Sequence, residues 1–132
     1  MNKTVVIIDV NHEILAYFSD MIHSADGFEV VGTAHDGESG IECVLRLMPH
    51  LTILDFHMPL KNGLEAARAI KSKASYAAIV FLTEQHRRPY VRAAMESGAI
   101  GYVLKSSANE DLLPALHAAM NGQQYISPAV EK

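Results

Sequence analysis

A chain of 132 residues that is 49% hydrophobic and 20% charged is sized for one domain burying roughly two thirds of its unfolded surface, and its lack of low-complexity tracts excludes a disordered polypeptide. The net charge of -4 and a pI near 5.9 exclude a binder of nucleic-acid phosphates, which needs Lys and Arg clustered in excess. The lone Cys43 excludes an intramolecular disulfide; set among apolar residues in a helical pattern, it implies a reducing compartment and a packing role.

The N-terminal MNKTVVIIDV has one lysine and a short apolar run stopping at Asp9, unlike a signal peptide, and no run approaches a membrane span. The expected location is the cytoplasm, with no membrane partner. Within that run Val5 to Ile8 predicts the first strand. Ile14, Leu15, Phe18, Met21 and Ile22 then share one stripe of a helix that Gly27 closes. A second strand over Val30 to Thr33 leads to a helix carrying Ile41, Val44, Leu45 and Met48, closed by Pro49. The third strand is Leu51 to Leu54. Asn62, three residues before Glu65, suits a helix cap with a reciprocal acid. The fourth strand is Ile79 to Leu82, and its helix starts around Pro89, a residue favoured at the first helical position, and runs to Gly98. Tyr102 to Leu104 is the fifth strand. Ser107, three before Glu110, caps a last helix with Leu112, Leu113 and Leu116, and Pro114 is placed near enough to its start to be tolerated. Strands apolar on consecutive positions, alternating with helices, predict a parallel sheet covered on both faces.

Each of four strands stops on a polar residue: Asp9 ends the first, Asp55 the third, Thr83 the fourth and Lys105 the fifth. The C-terminal ends of parallel strands open on one edge of the sheet. Any one of these residues alone reads as structural, because polar side chains are common where a chain leaves a sheet. The four together read as a site. Asp9 and Asp55 offer oxygen ligands to a divalent cation such as magnesium. A carboxylate attacks phosphorus poorly unless cations neutralise the incoming charge, and Lys105 with Thr83 can fix the phosphoryl oxygens.

The segment LTILDFHMPLKNGLEAARAI, with Asp55, Met58-Pro59 and Asn62-Gly63, resembles the phosphoacceptor segment of response regulator receiver domains from bacterial two-component systems. Thr83 after IVFL, and Gly98-Ala99 followed by Gly101 to Lys105, match two later signatures of that family in order and spacing. The resemblance covers nearly the whole chain. It implies an α/β, flavodoxin-like (βα)5 sandwich with a five-stranded parallel sheet in the order 2-1-3-4-5. It also implies that a sensor histidine kinase phosphorylates Asp55, that Thr83 and Lys105 contact the phosphoryl group, and that Tyr102 is an aromatic switch. Magnesium would be held by Asp9, Asp55 and the backbone carbonyl of His57. Ala118 to Gly122 and then Tyr125 to Pro128 resemble the receiver end in regulators that continue into a LuxR-type helix-turn-helix domain. The expected layout is a receiver over residues 1–121, with 122–132 as a tail or the start of a linker. Transcription would be regulated through a DNA-binding domain outside this chain, with a homodimer as a further partner.

Two positions depart from the family pattern. Val10 stands where the family carries a second acid that ligates the metal, so magnesium binding should be weak. Glu84 stands where a small residue leaves the phosphoryl site open, and its charge should repel a phosphodonor. Glu84, or Glu13 early in the first helix, is a candidate substitute ligand. The seven histidines lack the paired spacing of a zinc site and read as solvated surface. His86-Arg87-Arg88 is a short basic patch in a loop, and the six methionines read as packing.

Three functions compete. A phosphorylation switch needs Asp55 to be reactive. A degenerate receiver, acting as a phosphorylation-independent interaction or dimerisation module, needs only the fold. An enzyme or cofactor carrier finds little support: His57 stands where a dehalogenase-type phosphatase wants a second acid, and Val10 to Glu13 where a flavin phosphate loop wants Ser, Thr and Gly.

Overall fold

The computed structural model describes residues 2–131. In chain order the elements are β1 (Lys3–Ile8), α1 (His12–His23), β2 (Phe28–Ala34), α2 (Gly37–Leu47), β3 (Leu51–Leu54), α3 (Gly63–Lys73), β4 (Ala78–Thr83), α4 (Arg88–Glu96), β5 (Gly101–Leu104), α5 (Ala108–Met120) and β6 (Tyr125–Ile126). A 3-10 turn over Lys105–Ser107 joins β5 to α5. The sheet order is β2-β1-β3-β4-β5-β6, and every neighbouring pair is parallel.

Alternation along the strands divides the core into two layers, because successive side chains point to opposite faces. Val5, Ile7, Ile53, Leu82 and Val103 meet Leu15, Phe18 and Ile22 of α1 and Leu112, Ala115 and Leu116 of α5. On the other face Val6, Ile8, Leu54, Phe81 and Tyr102 meet Val44 of α2, Ala66, Ala67 and Ile70 of α3, and Val91 and Ala94 of α4. The chain passes from β2 back across β1 to β3, so the strand order reverses between β1 and β3. That reversal opens a crevice at the strand ends, where Asp9 and Asp55 emerge.

The receiver fold implied by the sequence is the one observed, with a sixth strand added to the expected five. Tyr125 and Ile126 pair with Gly101 and Tyr102 and cover the free edge of β5. Unpaired N–H and C=O groups on an edge strand attract such an addition, but two residues are too few to carry a periodic pattern.

The cap at Asn62 is a complete box: its side chain accepts from the Glu65 N–H at 2.9 Å, and Glu65 accepts from the Asn62 N–H at 2.9 Å. Ser107, by contrast, makes no cap bond. Pro89 is the second residue of α4, after Arg88. Met48 does not join the apolar stripe. It adopts φ 49 as the left-handed cap of α2 and stands exposed, since a helix ends most readily by reversing the sign of φ. Pro114 is the seventh residue of α5, beyond the first turn. The intrahelical bond it forgoes is to the Glu110 carbonyl. Both residues lie on the exposed side, where water can satisfy that group.

Candidate functional site

The strand ends bring Asp9, Asp55 and Lys105 together. Lys105 Nζ lies 2.8 Å from Asp9 Oδ2 and 2.9 Å from Asp55 Oδ2, so one ammonium bridges both carboxylates. Asp9 is 3% exposed and Asp55 8%, and buried charges persist only when paired and hydrogen-bonded. Their second oxygens are accordingly satisfied by backbone: Asp9 Oδ1 accepts from the Asn11 N–H at 2.9 Å, and Asp55 Oδ1 from the Phe56 N–H at 2.7 Å. Burial pushes the Lys105 ammonium down, but its bonds to Asp9 and Asp55 outweigh this and hold its pKa above the ordinary lysine value.

Backbone features fix these carboxylates. Asn11 caps α1, accepting from the N–H groups of Glu13 and Ile14. After Asp55 the chain turns tightly. Gly63 N–H donates to the Phe56 carbonyl at 2.8 Å, and a Cβ at Gly63 would strike the Asp55 carbonyl. Leu60 and Lys61 carry φ of 52 and 95, a left-handed conformation that costs non-glycine residues about 1–3 kcal/mol each. The loop is held in it by α2, where the Gly37 N–H donates to the Pro59 carbonyl at 3.1 Å.

Thr83 and Tyr102 meet at a residue the sequence did not single out. Gln85 donates its N–H to Thr83 Oγ1 at 3.3 Å and accepts the Tyr102 hydroxyl on its carbonyl at 2.6 Å; its side-chain nitrogen lies 3.0 Å from His57 Nε2. Tyr102 is fully buried, pointing inward beside Phe81 and Phe56. Burial first, and then the negative charge of Asp55, push its phenol well above the usual range. It therefore stays a neutral hydrogen-bond donor. No sequence signal marks Gln85, because its contribution is mostly backbone.

Val10 is 49% exposed and presents no oxygen. Glu13 and Glu84 are exposed, and Lys105 pairs with neither. Among the described residues no group of three or more His, Cys, Asp or Glu side chains is placed to hold a metal ion. The donor set thus fits a hard divalent cation with two carboxylates in place of three, and Lys105 already neutralises part of their charge. His12 and His35 stack with ring centroids 3.8 Å apart, a proximity their distant positions in sequence did not announce.

A family model described as response regulator receiver domain matches residues 5–117. The chain is 37% identical over 127 residues to the nitrate/nitrite response regulator protein NarL of Escherichia coli (strain K12), covering 96% of this chain and 59% of that protein. It is 32% identical over 125 residues to the transcriptional regulatory protein DesR of Bacillus subtilis (strain 168), covering 95% and 62%. The chain spans about three fifths of the length of these curated relatives. Among solved structures, a LuxR-family two-component response regulator from Aurantimonas sp. SI85-9A1 superposes with a TM-score of 0.94 at 26% identity, over 98% of this chain and 93% of that one. The isolated REC domain of RcsB from Salmonella enterica serovar Typhimurium, solved with the phosphomimetic BeF3-, gives 0.90 at 26% identity over 98% and 96%. No helix of the described residues is long and apolar enough to cross a membrane.

Proposed function

This chain belongs to the response regulator receiver domain family, and we propose that within it the chain is a phosphorylation-controlled signalling switch with Asp55 as its phosphoacceptor. The observation that carries this reading is the carboxylate of Asp55, buried at the end of β3 and bridged through Lys105 to Asp9. In the transfer, an Asp55 oxygen forms a bond to phosphorus while the bond to the donor nitrogen of a kinase phosphohistidine breaks; the electron pair stays on the imidazole, which takes a proton. Lys105 and the Thr83 hydroxyl fix phosphoryl oxygens, and Gln85 passes a shift of Thr83 to Tyr102. Magnesium, held by Asp9, Asp55 and the His57 carbonyl, would supply positive charge against which the phosphoryl oxygens are stabilised. Val10 offers it no ligand, so the affinity is weak.

The wider proposal follows the relatives. A sensor histidine kinase is the donor, residues 1–121 are the receiver with 122–132 leading onward, and a DNA-binding domain outside this chain regulates transcription in the cytoplasm, with a homodimer as a further partner. A second reading has two observations in its favour. Val10 removes a metal ligand while Lys105 already occupies both carboxylates, as suits a module that binds partners without phosphorylation. Titration with acetyl phosphate or beryllofluoride across a magnesium series, with Asp55→Asn as control, separates the two. A metal-dependent change lost in Asp55→Asn supports the switch. A folded protein that responds at no magnesium concentration supports the module.

A further inference from the structure

Beyond the Asp55 site, a set of contacts fastens the segment after α5 across the edge of β5. Ser127 sits at its centre: its N–H donates to the Tyr102 carbonyl at 2.9 Å, and its buried hydroxyl accepts the Leu104 N–H at 3.1 Å. Tyr125 donates its N–H to the Ile100 carbonyl at 3.1 Å and its hydroxyl to the buried Asp111 carboxylate of α5 at 2.7 Å. On the far side, the Glu131 N–H donates to the His86 carbonyl at 2.8 Å. The Gln124 amide reaches the Met95 sulfur of α4 at 3.2 Å, and Val130 packs on the core layer that contains Val91. Residues Gln124 to Glu131 therefore run from α5 across β5 to α4 and the β4–α4 loop.

The far anchor of this segment is the neighbour of Gln85. Gln85 is itself held by Thr83 and by the Tyr102 hydroxyl, so the loop at 85–86 joins the phosphoacceptor crevice on one side to the segment on the other. We propose that Gln124 to Glu131 is a releasable strap: displacement of the Gln85–His86 loop frees Glu131, loosens Ser127 from β5, and opens the edge from Gly101 to Leu104. The strap itself stands on the contacts named here; only the cause of the displacement, phosphorylation of Asp55, rests on the function proposed above. A two-residue strand with few bonds is poised for this, since each net hydrogen bond changes an equilibrium by only about two- to tenfold. An opened edge presents unpaired backbone groups to another strand, and linkage requires that whatever loosens the strap is bound more tightly once the strap is loose.

Amide hydrogen exchange followed by NMR on the whole chain tests this. Tyr102→Phe keeps the ring and removes only the bond to the Gln85 carbonyl. It should speed exchange at the Glu131 and Ser127 amides by about two- to tenfold, while Ile7 and Ile53 in β1 and β3 hold their parental rates. Tyr125→Phe, at a half-buried position, should speed exchange at Ser127 and alter that at Gln85. Parental exchange at Glu131 and Ser127 in Tyr102→Phe, or at Gln85 in Tyr125→Phe, overturns the strap. Beryllofluoride with magnesium, added to the parent, distinguishes the two proposals through the Phe56 amide, which touches Asp55. If the Phe56 signal moves while the strap amides do not, the strap is overturned. If Phe56 does not move, the phosphoacceptor reading fails, and the two variants alone decide the strap.

Discussion

Replacing Val10 with aspartate tests how far a missing carboxylate limits the cation affinity of this site. Val10 is 49% exposed, so the change forfeits only a fraction of the ~1.5–3 kcal/mol that full burial of a valine is worth. Asp9, Asp55 and Lys105 together leave one net negative charge, and the added carboxylate doubles it. A pair of unit charges 4 Å apart is worth about 1 kcal/mol in water and about 4 kcal/mol at an effective dielectric constant of 20, and a divalent ion doubles either figure. Reluctant dehydration of magnesium and repulsion among three carboxylates offset most of that gain. The expected net is about 1–2 kcal/mol, tightening magnesium binding roughly 5- to 30-fold. The assay is a magnesium titration of the Phe56 amide resonance at constant ionic strength, since screening acts over about 8–10 Å in ordinary buffers. Without magnesium the variant should unfold at lower urea than the parent, and with it the difference should shrink. A folded Val10→Asp that binds magnesium no better than the parent refutes the reasoning, and points to Lys105's hold on both carboxylates as the limit.

Lys105→Met leaves two buried carboxylates without a counter-charge. Breaking a fully buried pair costs about 3–5 kcal/mol, and because the Lys105 side chain keeps 14% of its exposure the expected loss is about 2–3 kcal/mol by urea denaturation at neutral pH; an unchanged midpoint would show that the bridge is not a net contributor. The pKa of Lys105 is raised, so in the parent this contribution is fully present below the ordinary lysine value near 10.4 and lost only as pH rises through the higher folded one. Asp111 runs the other way. Burial raises its pKa, but hydrogen bonds led by that from Tyr125 outweigh burial and lower it below 3.8, so its contribution is present above that value and lost as pH falls through the folded pKa. Exchange at Ser127, corrected for its intrinsic pH dependence, should hold steady from neutral pH to about 4 and rise below it, and Asp111→Asn should abolish the rise. Lys61→Gly relieves φ 95 at the cost of a more flexible unfolded chain, for a net gain of about 0.5–1 kcal/mol; a lower melting temperature would contradict that strain.

The strands and the residues that end them were legible because a buried parallel sheet demands consecutive apolar residues and tolerates polar ones only where it opens. Asp9, Asp55, Thr83 and Lys105 were readable for that reason, and Asn62 with Glu65 because a capping box is written in side chains. What escaped was written in backbone. Gln85 acts through its N–H and carbonyl, and such contacts leave no constraint on side-chain identity. Met48 looked like a core residue because periodicity continues one position past the helix, whereas the chain reverses there. The Tyr125–Ile126 strand depends on an edge that exists only once β5 is in place. Pro114 was misplaced because a proline on the exposed face of a helix forgoes a bond that water replaces.

The bridging position of Lys105 also sets what phosphorylation would do to the charges. Before it, one ammonium serves two carboxylates, and no oxygen of either lacks a donor. A phosphoryl group on Asp55 would replace a single negative charge by about -1.5 to -2. Lys105 would then favour the phosphoryl oxygens, whose charge is larger, and Asp9 would lose its partner while remaining 3% exposed. A buried carboxylate so released needs another cation. Magnesium is one such cation, and it would support the product as well as the transfer. With Val10 unable to help hold it, the phosphorylated state is the one this sequence leaves least supported. The fraction phosphorylated at equilibrium with a phosphohistidine donor should consequently rise with magnesium, and a fraction independent of magnesium would mean that Lys105 remains with Asp9.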